Sequence, residues 1–195
     1  MSKIETNQVD PATGTTLTLG TSGDTISIPS GVTIANSGTA TGFGGDNTPA
    51  FSTYIGSNQT LSDATTTKAD FDTEEFDTDG AYDTSNKRFT VPSGEGGKYF
   101  FHARGRFNMS ANQSQFVIMF KKNNNDLAKK YIYSGSAGTK IFNSTTYFSY
   151  DISAVETLSA GDYIEVFVLH QSGGAVTFSS SSSLGAFFYG FRIGT

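Results

Sequence analysis

The chain has no cysteine and no tryptophan among its 195 residues, and only 4 prolines and 2 histidines. Without cysteine, neither a disulfide framework nor a thiolate metal site is available. That suits a reducing cytosol, and equally a protein later exposed outside a cell. No stretch approaches the ~20 apolar residues of a membrane-spanning helix, so membrane insertion is not expected. The opening MSKIETNQVD lacks an apolar h-region, which argues against a Sec signal peptide. Helix-forming runs are also scarce, and only Asp126–Tyr131 reads as helix-like. The formal net charge of −5 argues against nucleic acid as a partner, because backbone binding needs clustered positive charge.

What the chain does have is 22 Gly, 17 Phe and 9 Tyr, set among abundant Ser, Thr and Asn. Aromatic and β-branched residues suit strands, and Gly, Asn and Asp suit the turns between them, so the expected class is all-β. The block Phe71–Phe101 shows this most clearly. It predicts strands at Phe71–Phe76, Arg88–Val91 and Lys98–Phe101, parted by the turn-forming stretches AYDTSN and VPSGEGG.

Residues 1–48 are different in kind. They hold a single aromatic, Phe43, and three alternating triplets: Leu17-Thr18-Leu19, Ile26-Ser27-Ile28 and Val32-Thr33-Ile34. Each triplet sets two apolar side chains on one face and Thr or Ser on the other. One such chain buries too little surface to offset an ordering entropy of ~1–2 kcal/mol per residue. The segment therefore reads either as a mobile Gly/Thr/Ser linker or as a shaft in which three chains bring their apolar stripes together. Phrases such as GTTLTLGTSGDTISIPSGVTIANSGTATGFG resemble the repetitive β-structured stalks of bacteriophage fibres. Residues 1–10 read as a tail that docks elsewhere, and Gly42–Pro49 reads as a hinge.

The remainder, 49–195, reads as a globular head. Strands are predicted at Ala50–Ile55, Gln115–Lys122, Ala128–Tyr133, Thr145–Ile152, Tyr163–Leu169 and Leu184–Ile193. QFVIMFKK is apolar enough to be buried on both faces. The segments Ser57–Thr67, Ser134–Asn143 and Gly173–Ser183 read as loops.

The order FDTE…F…YD…KRFTVP…GKYFF resembles the signature of C1q-like domains, relatives of the tumour necrosis factor jelly roll. Ala50-Phe51-Ser52, Gly161-Asp162, and the closing Phe188, Gly190, Phe191 and Ile193 extend the likeness to about Pro49–Thr195. The resemblance implies a two-sheet jelly roll whose first and last strands lie side by side. It also implies that three copies associate around a threefold axis through that sheet. The last strand is apolar on both faces. Phe187, Tyr189, Phe191 and Ile193 are expected to fill the sandwich, and Phe188, with Tyr54 of the first strand, to face the trimer axis.

Candidates for chemistry are few. His102 and His170 allow a Ser–His–carboxylate set on arithmetic alone, but no G-x-S-x-G surrounds any serine, so structural histidines are expected. Asp77-Thr78-Asp79-Gly80 looks like part of a calcium loop, with Asp77 and Asp79 as ligand candidates. Ala81 stands where a further oxygen ligand is needed, so a solvated acidic loop is the alternative and no cofactor is expected. The sequence thus predicts a non-enzymatic bacteriophage virion protein, displayed on the particle exterior. It would be a homotrimeric fibre, on tail or head, attached to other virion proteins by its N-terminus, with a C1q-like knob that adheres to a host-surface glycan or protein. A secreted or cell-surface C1q-like recognition module, and a capsid-stabilising decoration protein without receptor binding, are the alternatives.

Overall fold

The computed structural model describes residues 9–37, 47–109, 115–133, 146–180 and 185–194. The expected docking tail up to residue 8, the core of the Gly42–Pro49 hinge and the loop Ser134–Asn143 lie outside these residues. The chain divides into two units, Met1–Phe43 and Gly44–Thr195.

In the first unit, residues 9–37 form neither strand nor helix within one chain. Extended triplets alternate with tight turns. At one turn the Asp24 N–H donates to Thr21 O at 3.0 Å, and the Thr21 N–H donates to Asp24 Oδ2 at 2.7 Å. Hydrogen bonds from the Thr21 backbone, then its side chain, hold the Asp24 carboxyl below the usual carboxylate range. A second turn is closed by the Val32 N–H on Pro29 O at 3.2 Å. Every large apolar side chain of the triplets is exposed, from Leu17 at 43% to Leu19 at 62%.

In the second unit the described residues form thirteen strands and no helix. They are β1 (Ala50–Tyr54), β2 (Gln59–Leu61), β3 (Thr67–Lys68), β4 (Thr73–Asp77), β5 (Tyr82–Asp83), β6 (Arg88–Thr90), β7 (Gly97–Met109), β8 (Gln115–Lys122), β9 (Asn125–Tyr133), β10 (Thr146–Leu158), β11 (Tyr163–Gln171), β12 (Val176–Phe178) and β13 (Phe187–Gly194). Seven make one sheet, in the order β2-β12-β7-β13-β1-β4, with β10 on the other side of β7. Six make the facing sheet, β5-β6-β11-β8-β9, with β3 also on β11. The pairing is antiparallel, and first and last strands are adjacent, Phe51 opposite Gly190 and Tyr54 opposite Phe187.

The core follows from the two-residue period of the strands. On β7, Tyr99, Phe101, Ala103 and Phe107 are buried between the sheets, while Phe100, His102, Arg104 and Arg106 point out. β8 is buried over five consecutive residues, Phe116–Phe120, as its unbroken apolar run requires. The turn before β9 uses Asn123 and Asn124 at φ 51° and 66°, a left-handed pair that suits a two-residue hairpin. That hairpin makes Asp126–Tyr131 part of a strand rather than the helical run its composition suggests.

Two further expectations are corrected. Phe188 does not face outward. It is fully buried, and its ring lies 4.9 Å from Phe51, 5.8 Å from Phe71 and Phe120, 6.0 Å from Tyr82 and 6.2 Å from Phe101. The set assigned to the interior, Phe187, Tyr189, Phe191 and Ile193, lies on the opposite face, half-buried or exposed. Gly190 explains the orientation. It sits under the Phe101 ring, where an added Cβ would come 2.5 Å from Phe101 Cδ1 and 2.9 Å from Phe100 O. The face carrying Gly190 is therefore the one that receives a ring from β7, and Phe188 shares it. The other correction concerns loops. Ser57–Thr67 and Gly173–Ser183 each contain a short strand, β2 and β12, whose Leu61, Val176 and Phe178 belong to the core.

Two substitutions check this packing. Phe188→Ala should lose about 3–5 kcal/mol in urea unfolding, as for a large ring removed from a filled core. Gly190→Ala should lose about 1–3 kcal/mol through overpacking against the Phe101 ring. An undiminished midpoint for either variant would contradict the assigned faces.

Candidate functional site

The outer face of the seven-stranded sheet carries the feature that the single chain leaves uncovered. The β7–β13 and β10–β7 registers align its side chains in rows. One row runs Val155, Phe100, Phe191, Ala50; the next runs Ser153, His102, Tyr189, Ser52; the third runs Asp151, Arg104, Phe187, Tyr54. The rings touch along the face: Phe100 to Phe191 at 5.4 Å, His102 to Tyr189 at 5.2 Å, His102 to Phe187 at 5.6 Å and Phe187 to Tyr189 at 5.9 Å. At the margins Val155 (60%), Tyr147 (53%), Phe76 (51%) and Ile193 (49%) are exposed. Contiguous apolar area of this kind marks an interaction surface.

Tyr54 lies on this face, directly opposite Phe187. Phe188 does not join it. The members that sequence reasoning missed are Phe100, His102, Phe187, Tyr189 and Phe191. Their alternation with Tyr99, Phe101 and Phe188 is legible in the sequence, but the choice of inner and outer face is not. The rim is polar: the Arg106 guanidinium stacks 3.8 Å above the Tyr147 ring, and the Ser52 hydroxyl donates to Glu75 Oε2 at 2.9 Å.

The two histidines fall in different settings. His102 is half-buried in the middle of the aromatic face. His170 is fully buried on β11 with its ring stacked on Phe116 at 6.0 Å. The fold does bring a serine and a carboxylate to His170. Nδ1 lies 3.0 Å from Ser172 Oγ and 3.8 Å from Asp63 Oδ1, and Nε2 lies 3.2 Å from Leu61 O. The connections are wrong for nucleophile activation, where hydroxyl and carboxylate must engage opposite ring nitrogens. Here both lie on the Nδ1 side and a backbone carbonyl holds Nε2. Asp63 instead accepts the N–H groups of Ser172 at 2.6 Å and Gly173 at 3.0 Å. The Ser172 N–H bond is the main cause that holds the Asp63 carboxyl below the usual carboxylate range.

These contacts tie two of the candidate loops together at one end of the head. A further tie is Asn58 Oδ1, which accepts the Ser180 N–H at 2.8 Å and the Ser180 hydroxyl at 3.1 Å.

The calcium candidates are engaged by their own turn. Asp77 Oδ1 accepts the Asp79 N–H at 3.3 Å, Asp77 Oδ2 accepts the Tyr82 N–H at 2.8 Å, and Asp79 Oδ2 accepts the Thr78 hydroxyl at 2.5 Å. Among the described residues no three His, Cys, Asp or Glu side chains are grouped to hold a metal ion.

No family model matches the sequence, and no curated protein matches it. Solved structures do match in shape. The crystal structure of murine APRIL at pH 8.0 is 14% identical, with a TM-score of 0.51 over 74% of this chain and 98% of that one. The globular domain of zebrafish complement 1qA protein is 18% identical, with a TM-score of 0.49 over 74% of this chain and 97% of that one. Eiger TNF from S. frugiperda is 13% identical, with a TM-score of 0.48 over 74% and 91%. The superposition on APRIL, together with the two antiparallel sheets, defines a C1q/TNF-like jelly roll.

The turn-bound state of Asp77 gives a direct test. A site with a Kd of about 1 μM would add about 4 kcal/mol of stability in 1 mM calcium. Melting in 1 mM calcium and in EDTA should instead coincide, and a calcium-dependent rise would restore Asp77 and Asp79 as ligands.

Proposed function

We propose that this chain is one third of a homotrimeric fibre, a bacteriophage structural protein on the outside of the particle. Its C1q-like knob adheres to a glycan or protein of the host surface, and its N-terminus docks on other virion proteins. The observation that carries the reading is a matched pair of uncovered apolar surfaces. The triplets of residues 17–34 expose every Leu, Ile and Val. The outer face of the seven-stranded sheet exposes or half-exposes a run of aromatic rings. Each side chain of this size is worth ~1.5–3 kcal/mol when buried, so covering both surfaces would stabilise an assembly by an amount comparable with the ~5–15 kcal/mol by which a domain itself is stable. A second and third copy cover both at once.

The likeness of residues 14–44 to phage stalk phrases supports the particle context. Adhesion belongs to the loops, because a rigid sandwich presents them at its ends and three copies add avidity. Ser57–Thr67 and Gly173–Ser183 are joined through Asn58, Asp63 and Ser172 into one surface. Ser134–Asn143 is the third loop proposed. No catalytic role is proposed, since His170 is buried behind the Leu61 carbonyl rather than presented to a substrate.

Light scattering on the full chain should give the mass of three copies. Tyr189→Asp should give a folded monomer, because an unpaired carboxylate at the buried centre of the interface costs on the order of 3 kcal/mol per copy. A wild-type monomer, or an undisturbed trimer in Tyr189→Asp, would overturn the assembly. Antibody labelling of particles should then place the chain on their surface, and its absence from them would refute the virion role while leaving the trimer standing.

A further inference from the structure

We infer that His170 is a proton-operated latch that closes the turn Ser172–Gly174 against the loop Leu61–Ala64. Ser172 Oγ lies 2.6 Å from Gly174 O and 3.0 Å from His170 Nδ1. A carbonyl oxygen only accepts, so the single hydroxyl proton goes to Gly174 O. The Nδ1 contact therefore needs a proton on Nδ1. His170 Nε2 lies 3.2 Å from Leu61 O, which also only accepts, so Nε2 carries a proton as well. The closed geometry holds an imidazolium.

Its surroundings are consistent with that charge. On the loop, Asp63 Oδ1 is 3.8 Å from Nδ1 and is, among the described residues, the charged group within ion-pair distance of the ring. On β8 the ring meets Phe116, and on β2 it meets the Leu61 carbonyl. The β3 cation, Lys68, is engaged with Glu165 and Asn86 O. The loop itself is strained: Ala64 sits at φ 52°, and its N–H donates to His170 O at 2.9 Å.

Loss of either ring proton breaks this set. With Nδ1 bare, the hydroxyl must turn to Nδ1, and two oxygen lone pairs then face each other across 2.6 Å between Ser172 and Gly174. The carbonyl has to withdraw, and the turn opens. The Asp63 bonds to the Ser172 and Gly173 N–H groups join the same turn to the loop. Closure is thus present at low pH and lost as pH rises and the ring gives up its proton. The latch spans two of the loops proposed above for adhesion, yet the inference stands without that reading.

The test uses the full chain labelled with 15N-histidine. Of the two imidazoles, His170 is the one whose ring signals move in Ser172→Ala. At pH 6 both of its ring nitrogens should report as protonated, and at pH 9 one should not. Over the same range, hydrogen exchange of peptides covering residues 61–66 and 171–176, corrected for intrinsic pH dependence, should accelerate by ~10-fold or more. Asp63→Asn, which keeps an acceptor oxygen but removes the charge, should move the change to lower pH. A neutral ring at pH 6, a ring still doubly protonated at pH 9, or exchange that ignores the titration would each overturn the latch.

Discussion

The fold depends on one contact set, the packing of Phe188 into a cage of rings drawn from both sheets. Phe51 and Phe101 come from the same sheet as Phe188, Phe120 and Tyr82 come from the facing sheet, and Phe71 comes from the segment between β3 and β4. This cage decides which face of β13 is interior. Because side chains alternate, it sends Phe187, Tyr189 and Phe191 to the opposite face in the same stroke. The aromatic surface is therefore not a separate feature added to a finished core. It is the second face of the strands that make the core.

How much of this was legible in the sequence can be argued from the same strand. That β13 is apolar on both faces was plain from LGAFFYGFRI, and so was the need for something outside the sandwich to cover it. Which face was which was not. Counting side chains favoured the larger set for the interior, yet Gly190 accepts the Phe101 ring and reverses the choice. Such a contact depends on register between strands about ninety residues apart, and local periodicity carries no register. The short strands β2 and β12 were missed for a related reason. Three residues give no period, and Leu61, Val176 and Phe178 earn their burial only by pairing with one another and with β7. In the Phe71–Phe101 block turn chemistry and aromatic runs agree, and its three expected strands are found as β4, β6 and the start of β7, although the two-residue strand β5 (Tyr82–Asp83) lies inside the stretch expected to be turn. Asp83 closes its turn by accepting the N–H groups of Ser85 at 2.8 Å and Asn86 at 2.9 Å, which is what AYDTSN predicts.

The His170 cluster shows where motif logic fails and geometry succeeds. Serine, histidine and aspartate are all present, and proximity alone would suggest catalysis. The order of contacts decides otherwise. A catalytic imidazole takes up and returns a proton at one nitrogen while a carboxylate holds the N–H of the other, whereas the contacts here make both nitrogens donors at once. The same three residue types that activate a nucleophile in one arrangement lock a turn in another.

The outer face is also graded along its length, and the gradient bears on how copies would meet. At the Phe191 end the rows are apolar across four strands, with Val155, Phe100, Phe191 and Ala50 side by side. Two rows on, Arg104 lies opposite Asp151, and beyond it Arg106 covers Tyr147. Apolar packing is tolerant of sliding, but charges are not, because a carboxylate or guanidinium moved onto rings loses its water without gaining a partner. An aromatic patch bounded by Lys98 on one side and by Arg104, Asp151 and Arg106 on the other would therefore restrict the offsets at which the proposed copies associate. In the trimer proposed above, a parallel arrangement would place like side chains at one level along the axis.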